Sequence, residues 1–428
     1  MRAVALSAVI LLSSLPSSLN PLFLNQEGYT AVVEMLYVSP LRLGSGGELR
    51  SYAARLVELK GRRAVLEVLP GFFWEGGRPL SASDLAFTYN FLAHYRRNPT
   101  YPYWRGISAF KRGRRVVVVF PAPPEKYHFL FPILPERLLR RARPEKLEEF
   151  PPSGPYRLKS RSPSRMVLEG REGFPLKVSF SRIVLREVPD PVTRKIMMEA
   201  GQGDICVCSR QQLPRKGVRI FKISRPAFLY LGFRGLTPEE RCWVARRVKG
   251  LSLSSVAQGF AKPILTPFQL WFPAEEAKLL CGKGSPPTNL TLLIPAQRER
   301  LILAQIIQAS LAPVKVKIIS LERGLFLRRL RSGNFQLVLS AFSLDFPSDL
   351  KEILGCKGSA NYFGYCSREM EGALQEGNWG KAREVFLRDL PFLPLYESLY
   401  PVAVKKGLGW RPFENSFSSA SPFRSIVQ

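Results

Sequence analysis

Residues 288–342, "TNLTLLIPAQRERLILAQIIQASLAPVKVKIISLERGLFLRRLRSGNFQLVLSAF", decide the fold class, because their apolar period switches four times. "TNLTLLIPA" reads as a strand closed by Pro295, and "QRERLILAQIIQASLA" spaces its apolar residues as an amphipathic helix. "VKVKIISL" alternates as a strand, "ERGLFLRRLRSG" returns to the helical period and stops at Gly333, and "NFQLVLSAF" is a third strand. A β-α-β-α-β run of this spacing predicts a sheet with parallel neighbours, covered by helices, that receives ligands outside the carboxyl ends of its strands. The next stretch, "LDFPSDLKEIL" (344–354), sets Asp345 at such an end. Asp349 reads as the start of the following helix, where a negative charge suits the dipole.

The first third is organised differently. Residues 62–95, "RRAVLEVLPGFFWEGGRPLSASDLAFTYNFLAHY", begin as an alternating strand and pass a Gly-rich turn. They then enter a helix for which Ser81 and Asp84 make a capping box. "RRVVVVFPAPP" (114–124) is a short strand stopped by prolines. Pro/Gly density in "EFPPSGPYRLKS" (149–160) marks one boundary, and a second is expected within "KISRPAFLYLGFRG" (222–235). The opening "MRAVALSAVILLSSLPSSLNP" has the length of a secretory leader and equally the pattern of a first strand, so residues 1–13 are left open between the two.

Composition narrows the function classes. With 428 residues, 46% hydrophobic and 23% charged, the chain suits two or three lobes of ordinary domain size. The formal net charge of +29 comes from 63 Lys and Arg against 34 Asp and Glu. The Arg clusters recur in every segment without any compact nucleic-acid motif, which favours a cationic surface attracting anionic lipid, cell-wall polymer or an acidic partner over specific nucleic-acid reading. Catalysis lacks its players. His94 and His128 are the only histidines, neither lies beside a nucleophile pattern, and no phosphate-cradling glycine loop occurs. Six cysteines and two histidines do not make a metal centre, and no cofactor is expected. Cys356 and Cys366 bracket a Gly/Ser/Asn-rich turn that can bring them together or leave two free thiols. The pairing of Cys206, Cys208, Cys242 and Cys281 stays open.

Taken in order, several landmarks resemble the extracellular solute-binding proteins of family 5, the oligopeptide, dipeptide and nickel group that serves ABC transporters. "SSLNPL" (17–22) is similar to the family's opening. "FFWEGGRPLSASDLAFTYNF" (72–91) is similar to its most specific motif, matching at Trp74, Gly77, Pro79, Leu80, Ala82 and Asp84, with Gly76 in place of an aspartate. "SGPYRL", "AGQGDI", "FLYLGFR", "FPAEEAKLLCGKG", "SANYFGYCSREMEGAL" and "LPFLPLYES" follow in the family's order. Arg234 stands where the family usually has asparagine, and Phe342 and Phe346 replace Trp and Tyr of its "W-x-x-DY" segment.

The resemblance implies an α/β, bilobal periplasmic-binding-protein-like fold of type II, its two lobes joined by two hinge strands, with a peripheral subdomain on the first lobe. Transferred to this chain, that gives lobe I at 1–39, 148–228 and 399–428, the peripheral subdomain at 40–147 and lobe II at 229–398. It implies a non-catalytic receptor of an ABC importer, monomeric and extracytoplasmic. Such a receptor captures a peptide-like or other small solute by hinge closure and delivers it to the transporter's membrane subunits; the alternative is a cationic surface protein that binds a polyanion. By position, Asp345 corresponds to an aspartate that pairs with a ligand ammonium, and Phe342 stands beside it. Trp271 lies in a loop that passes near the family's cleft. Arg234 can grip a ligand carboxylate or pair with an acidic side chain. Trp74 reads as a turn anchor, and a small disulfide loop in some members supports pairing Cys356 with Cys366. Ligand identity is beyond the sequence.

Overall fold

The computed structural model describes residues 7–23, 29–44, 48–251, 253, 256–272, 278–344, 347–412 and 425–426. The chain divides into two compact units, Met1–Ile223 with Tyr400–Gln428, and Ser224–Leu399.

In the first unit the apolar N-terminal run becomes strand β1 (Ser7–Leu12), with Ala8, Ile10 and Leu11 fully buried. A short hairpin, β2 (Leu41–Leu43) and β3 (Leu49–Ser51), precedes an antiparallel sheet of β4 (Ala54–Lys60), β5 (Arg63–Val68), β6 (Ser108–Arg112) and β7 (Arg115–Val119), ordered β4-β5-β7-β6. The helix Ala82–His94 covers one face of that sheet: Asn90 exchanges hydrogen bonds with the backbone of Ala109, and Lys111 Nζ donates to Ser83 Oγ at 3.1 Å. Its N-terminus is the expected capping box. Buried Asp84 accepts from Ser81 N and Oγ and from both terminal nitrogens of Arg78, whose guanidinium also lies over the Trp74 ring. Gly76 and Gly77 take φ of 85° and 84° in the turn between, a backbone region that glycine enters without strain. Trp74 is therefore a buried turn anchor.

Next come β8 (Tyr156–Ser162), β9 (Arg165–Gly170), β10 (Arg182–Glu187) and β11 (Ile205–Val207). β1 runs parallel to β10 and β11, and the hairpin β8–β9 adds to β10. β12 (Val218–Phe233) then carries the chain from the first unit into the second.

The second unit contains β13 (Ala261–Pro263), β14 (Asn289–Pro295), β15 (Lys315–Leu321), β16 (Leu337–Ser343) and most of β17 (Phe392–Lys405). β14 pairs in parallel with β15 and β16, as the β-α-β-α-β reading requires, and β12 lies antiparallel to β16. Alternation along β14 feeds two cores. Leu290, Leu292 and Ile294 join the helix Arg298–Ser310 through Leu303 and Ile307, while Leu293 joins Phe326 and Leu330 of the helix Arg323–Ser332. The last residues of β17 return to the first unit and pair with β11, Val404 against Ile205.

The cysteines pair as Cys206–Cys208, Cys242–Cys281 and Cys356–Cys366. Among the described residues no helix is long and apolar enough to cross a membrane, and no three His, Cys, Asp or Glu side chains are grouped to hold a metal ion.

Candidate functional site

β16 changes character along its length: Leu337, Val338 and Leu339 are buried, and from Ser340 to Ser343 the strand emerges toward solvent. Antiparallel register sets Phe342 opposite Phe228 of β12, with Tyr230 two residues along the same face. Tyr230 and Phe342 stack at 4.5 Å between centroids with planes 12° apart. On the far side of the stack Tyr362 lies 6.4 Å from Phe342, its plane tilted by 10°. Phe363 meets Tyr230 and Phe342 edge-on at 5.6 and 6.3 Å, and Phe392 closes the cluster from β17. Tyr230 is fully buried, Phe342 and Tyr362 only partly, so the rings run from core to surface. Burial drives the Tyr230 phenol far above its usual range, opposed by the Ser340 hydroxyl, and keeps it protonated.

Tyr362 and Phe363 belong to the loop closed by Cys356–Cys366. Asn361 braces this loop internally, donating from Nδ2 to Gly355 O and Tyr365 O at 2.9 and 2.6 Å. Tyr365 donates its hydroxyl to Asp389 at 2.7 Å, and Glu371 accepts from Cys356 N at 3.0 Å. Gly232 of β12 has no side chain where Phe363 packs; a Cβ there would lie 2.4 Å from the Phe363 ring.

Each residue singled out by sequence can now be placed. Phe342 is the partly exposed end of the aromatic stack. Asp345 and Phe346 lie outside the described residues. Arg234 follows the last residue of β12, beside the start of β16 and so at the opposite end of that strand from Phe342. Its guanidinium lies over Gly333 and donates to Tyr362 O at 2.6 Å, so its observed partner is a backbone carbonyl of the aromatic loop. Trp271 follows the short helix Pro267–Leu270 and packs against the same core, its buried Nε1 without an acceptor among the described residues. Tyr230, Tyr362 and Phe363 were not singled out as site residues. The signal for Tyr230 was the alternation of "FLYLGF", which places Phe228, Tyr230 and Gly232 on one strand face.

Comparison with known proteins gives the context. The family described as bacterial extracellular solute-binding proteins, family 5 (middle), matches residues 69–235. No curated protein matches the sequence. Among solved structures the chain is similar to the ABC transporter substrate-binding protein CtaP of Listeria monocytogenes, at TM-score 0.77 and 14% identity, covering 94% of each chain. It is similar to NikZ of Campylobacter jejuni, in complex with Ni(L-His), at 0.72 and 14%, again covering 94% of each. The periplasmic binding protein DppA of Helicobacter pylori, in complex with the peptide STSA, superposes at 0.66 and 17%, covering 93% of this chain and 94% of that one. At these identities the likeness is one of fold, and that fold is the bilobal one of the periplasmic binding proteins. The chain is thus similar over residues 69–235 to the bacterial extracellular solute-binding proteins of family 5, and over nearly its whole length it shares the fold of these solved binding proteins.

Proposed function

We propose that this protein is the extracytoplasmic receptor of an ABC importer, without catalysis of its own, and that it takes a peptide-like or other small solute at the carboxyl end of β16. The observation that carries the reading is the stack of Tyr230, Phe342 and Tyr362, which brings a half-exposed aromatic platform to the edge where the parallel strands β14, β15 and β16 end. Rings with parallel planes offer flat contact area at little cost in conformational entropy. Asp345, three residues beyond Phe342 in the sequence, supplies the charge, since a carboxylate makes a charge-assisted bond with a ligand ammonium. Trp271 adds a second apolar wall. Arg234 contributes through the Tyr362 carbonyl, by fixing the loop that carries the outer ring. Three cystines support an oxidising compartment, and CtaP and DppA, described as ABC-transporter proteins, support the importer.

A thermal-shift screen of short peptides, sugars and metal–amino acid chelates identifies the solute, because a ligand of the native state alone raises its stability. Calorimetric titration of that solute then compares wild type with Asp345→Asn and Phe342→Ala. For an amine-bearing solute, Asp345→Asn is expected to cost about 2 kcal/mol with the melting temperature unchanged. Unchanged affinity in both variants, or no stabilising solute in any class, overturns the assignment.

A further inference from the structure

We propose that the uncovered face of the four-stranded sheet β4–β7 docks on an anionic lipid surface. The register defines that face. Directly opposed residues share a side of the sheet, so the face away from the helix Ala82–His94 consists of three cross-strand rows. The first row is Arg55, Glu67, Arg115 and Arg112. The central row runs from Glu58 through Val65 and Val117 to Phe110. The third is Lys60, Arg63, Val119 and Ser108.

An apolar band thus crosses the middle of the face between two cationic rows. Phe110 is 58% exposed and Val119 39%, although strand residues of this size normally seek cover. The five cations face two acids, and both acids are already engaged: Glu67 pairs with Arg55 at 2.8 Å and Arg115 at 3.9 Å, and Glu58 with Arg63 at 2.5 Å. Lys60 and Arg112, at opposite corners, have no acidic partner among the described residues.

Charge complementarity selects the occupant. That face, which no described helix covers, offers Phe110 and Val119 exposed on its β6–β7 side, with Val65 and Val117 buried beside them, and guanidinium and ammonium groups along both margins. Inserting Phe110 among acyl chains while the flanking cations meet lipid phosphates satisfies both parts at once. The net charge of +29 adds long-range attraction toward an extended anionic plane.

Vesicle co-sedimentation of the full chain tests this, with vesicles of equal parts phosphatidylglycerol and phosphatidylcholine against phosphatidylcholine alone. Binding is expected to the anionic vesicles only. Phe110→Ser is expected to lower the partition coefficient about tenfold. Lys60→Glu with Arg112→Glu should lower it at least about tenfold. The same two charge reversals on the second unit, Arg328→Glu with Arg331→Glu, serve as the control for bulk charge and should have clearly less effect. All these side chains are exposed, and an unchanged melting temperature confirms that each variant is folded. Failure to bind anionic vesicles, full binding by Phe110→Ser and the Lys60/Arg112 variant, or equal loss in the control overturns the proposal. Capture of an acidic protein in place of vesicles overturns it as well.

Discussion

His128 shows what burial does to one titratable side chain. It is 7% exposed, packed edge-on against Trp104 and Phe120, and uses both ring nitrogens: Nδ1 accepts from Glu125 N at 2.9 Å and Nε2 donates to Tyr103 O at 3.1 Å. Burial lowers its pKa from 6.5 to about 4, against the backbone contacts with Tyr103 and Glu125, which act to raise it. Below about pH 6.5 the unfolded chain therefore binds a proton that the folded chain refuses. Stability present above that pH is lost as pH falls toward 4, by on the order of 3 kcal/mol. Urea unfolding measured across this interval should show the loss, and His128→Gln should flatten it. From sequence His128, without a nucleophile beside it, reads as a surface or aromatic-packing residue, and tertiary packing of residues 103 to 128 around it makes it the second. Phe342, which the structure places in the stack, was marked through its match to a motif; Asp345, marked by the same match, lies outside the described residues. Tyr362 was not marked, since its part in the stack depends on a loop folding back over β12, and nothing in its local pattern encodes that return.

Among the elements, the loop closed by Cys356 and Cys366 is the one on which the candidate site depends. It carries Tyr362 and Phe363, and it is tied down by its disulfide, by Asn361 and by Arg234. Replacing both cysteines by serine is expected to cost about 2 kcal/mol or more of unfolding free energy, because a constraint on the unfolded chain is removed. If the loop positions the stack, the variant should also bind the solute more weakly at temperatures where it is still folded. Calorimetry alongside thermal unfolding separates the two effects, and a loss of stability with unaltered affinity would leave the loop a purely structural clip. The regular elements were the most legible part of the chain. The β-α-β-α-β run announces itself through alternating periods, and the capping box through Ser81 and Asp84. The units part at 223/224 and 399/400, inside β12 and β17; the first division falls within the stretch 222–235, two residues before Pro226, and the second lies beside Pro401.

For the molecule as a whole, 63 basic side chains against 34 acidic ones mean that folding concentrates like charge. Self-repulsion should then outweigh the exposed ion pairs, each of which contributes little. Raising sodium chloride from low to moderate concentration is expected to lift the melting temperature by about 4 °C, measured by scanning calorimetry. A fall would mean that the surface pairs dominate. The path of the chain has a further consequence, for the order of assembly during synthesis. Residues 224–399 are an insertion in the first unit, whose sheet gains its β17 partner only when residues 402–404 reach β11. A nascent chain therefore possesses every residue of the second unit before it can complete the first. The ribosome delivers the keystone of the N-terminal half only after the whole second unit, and a messenger truncated just after codon 399 would yield a whole second unit and an unfinished first.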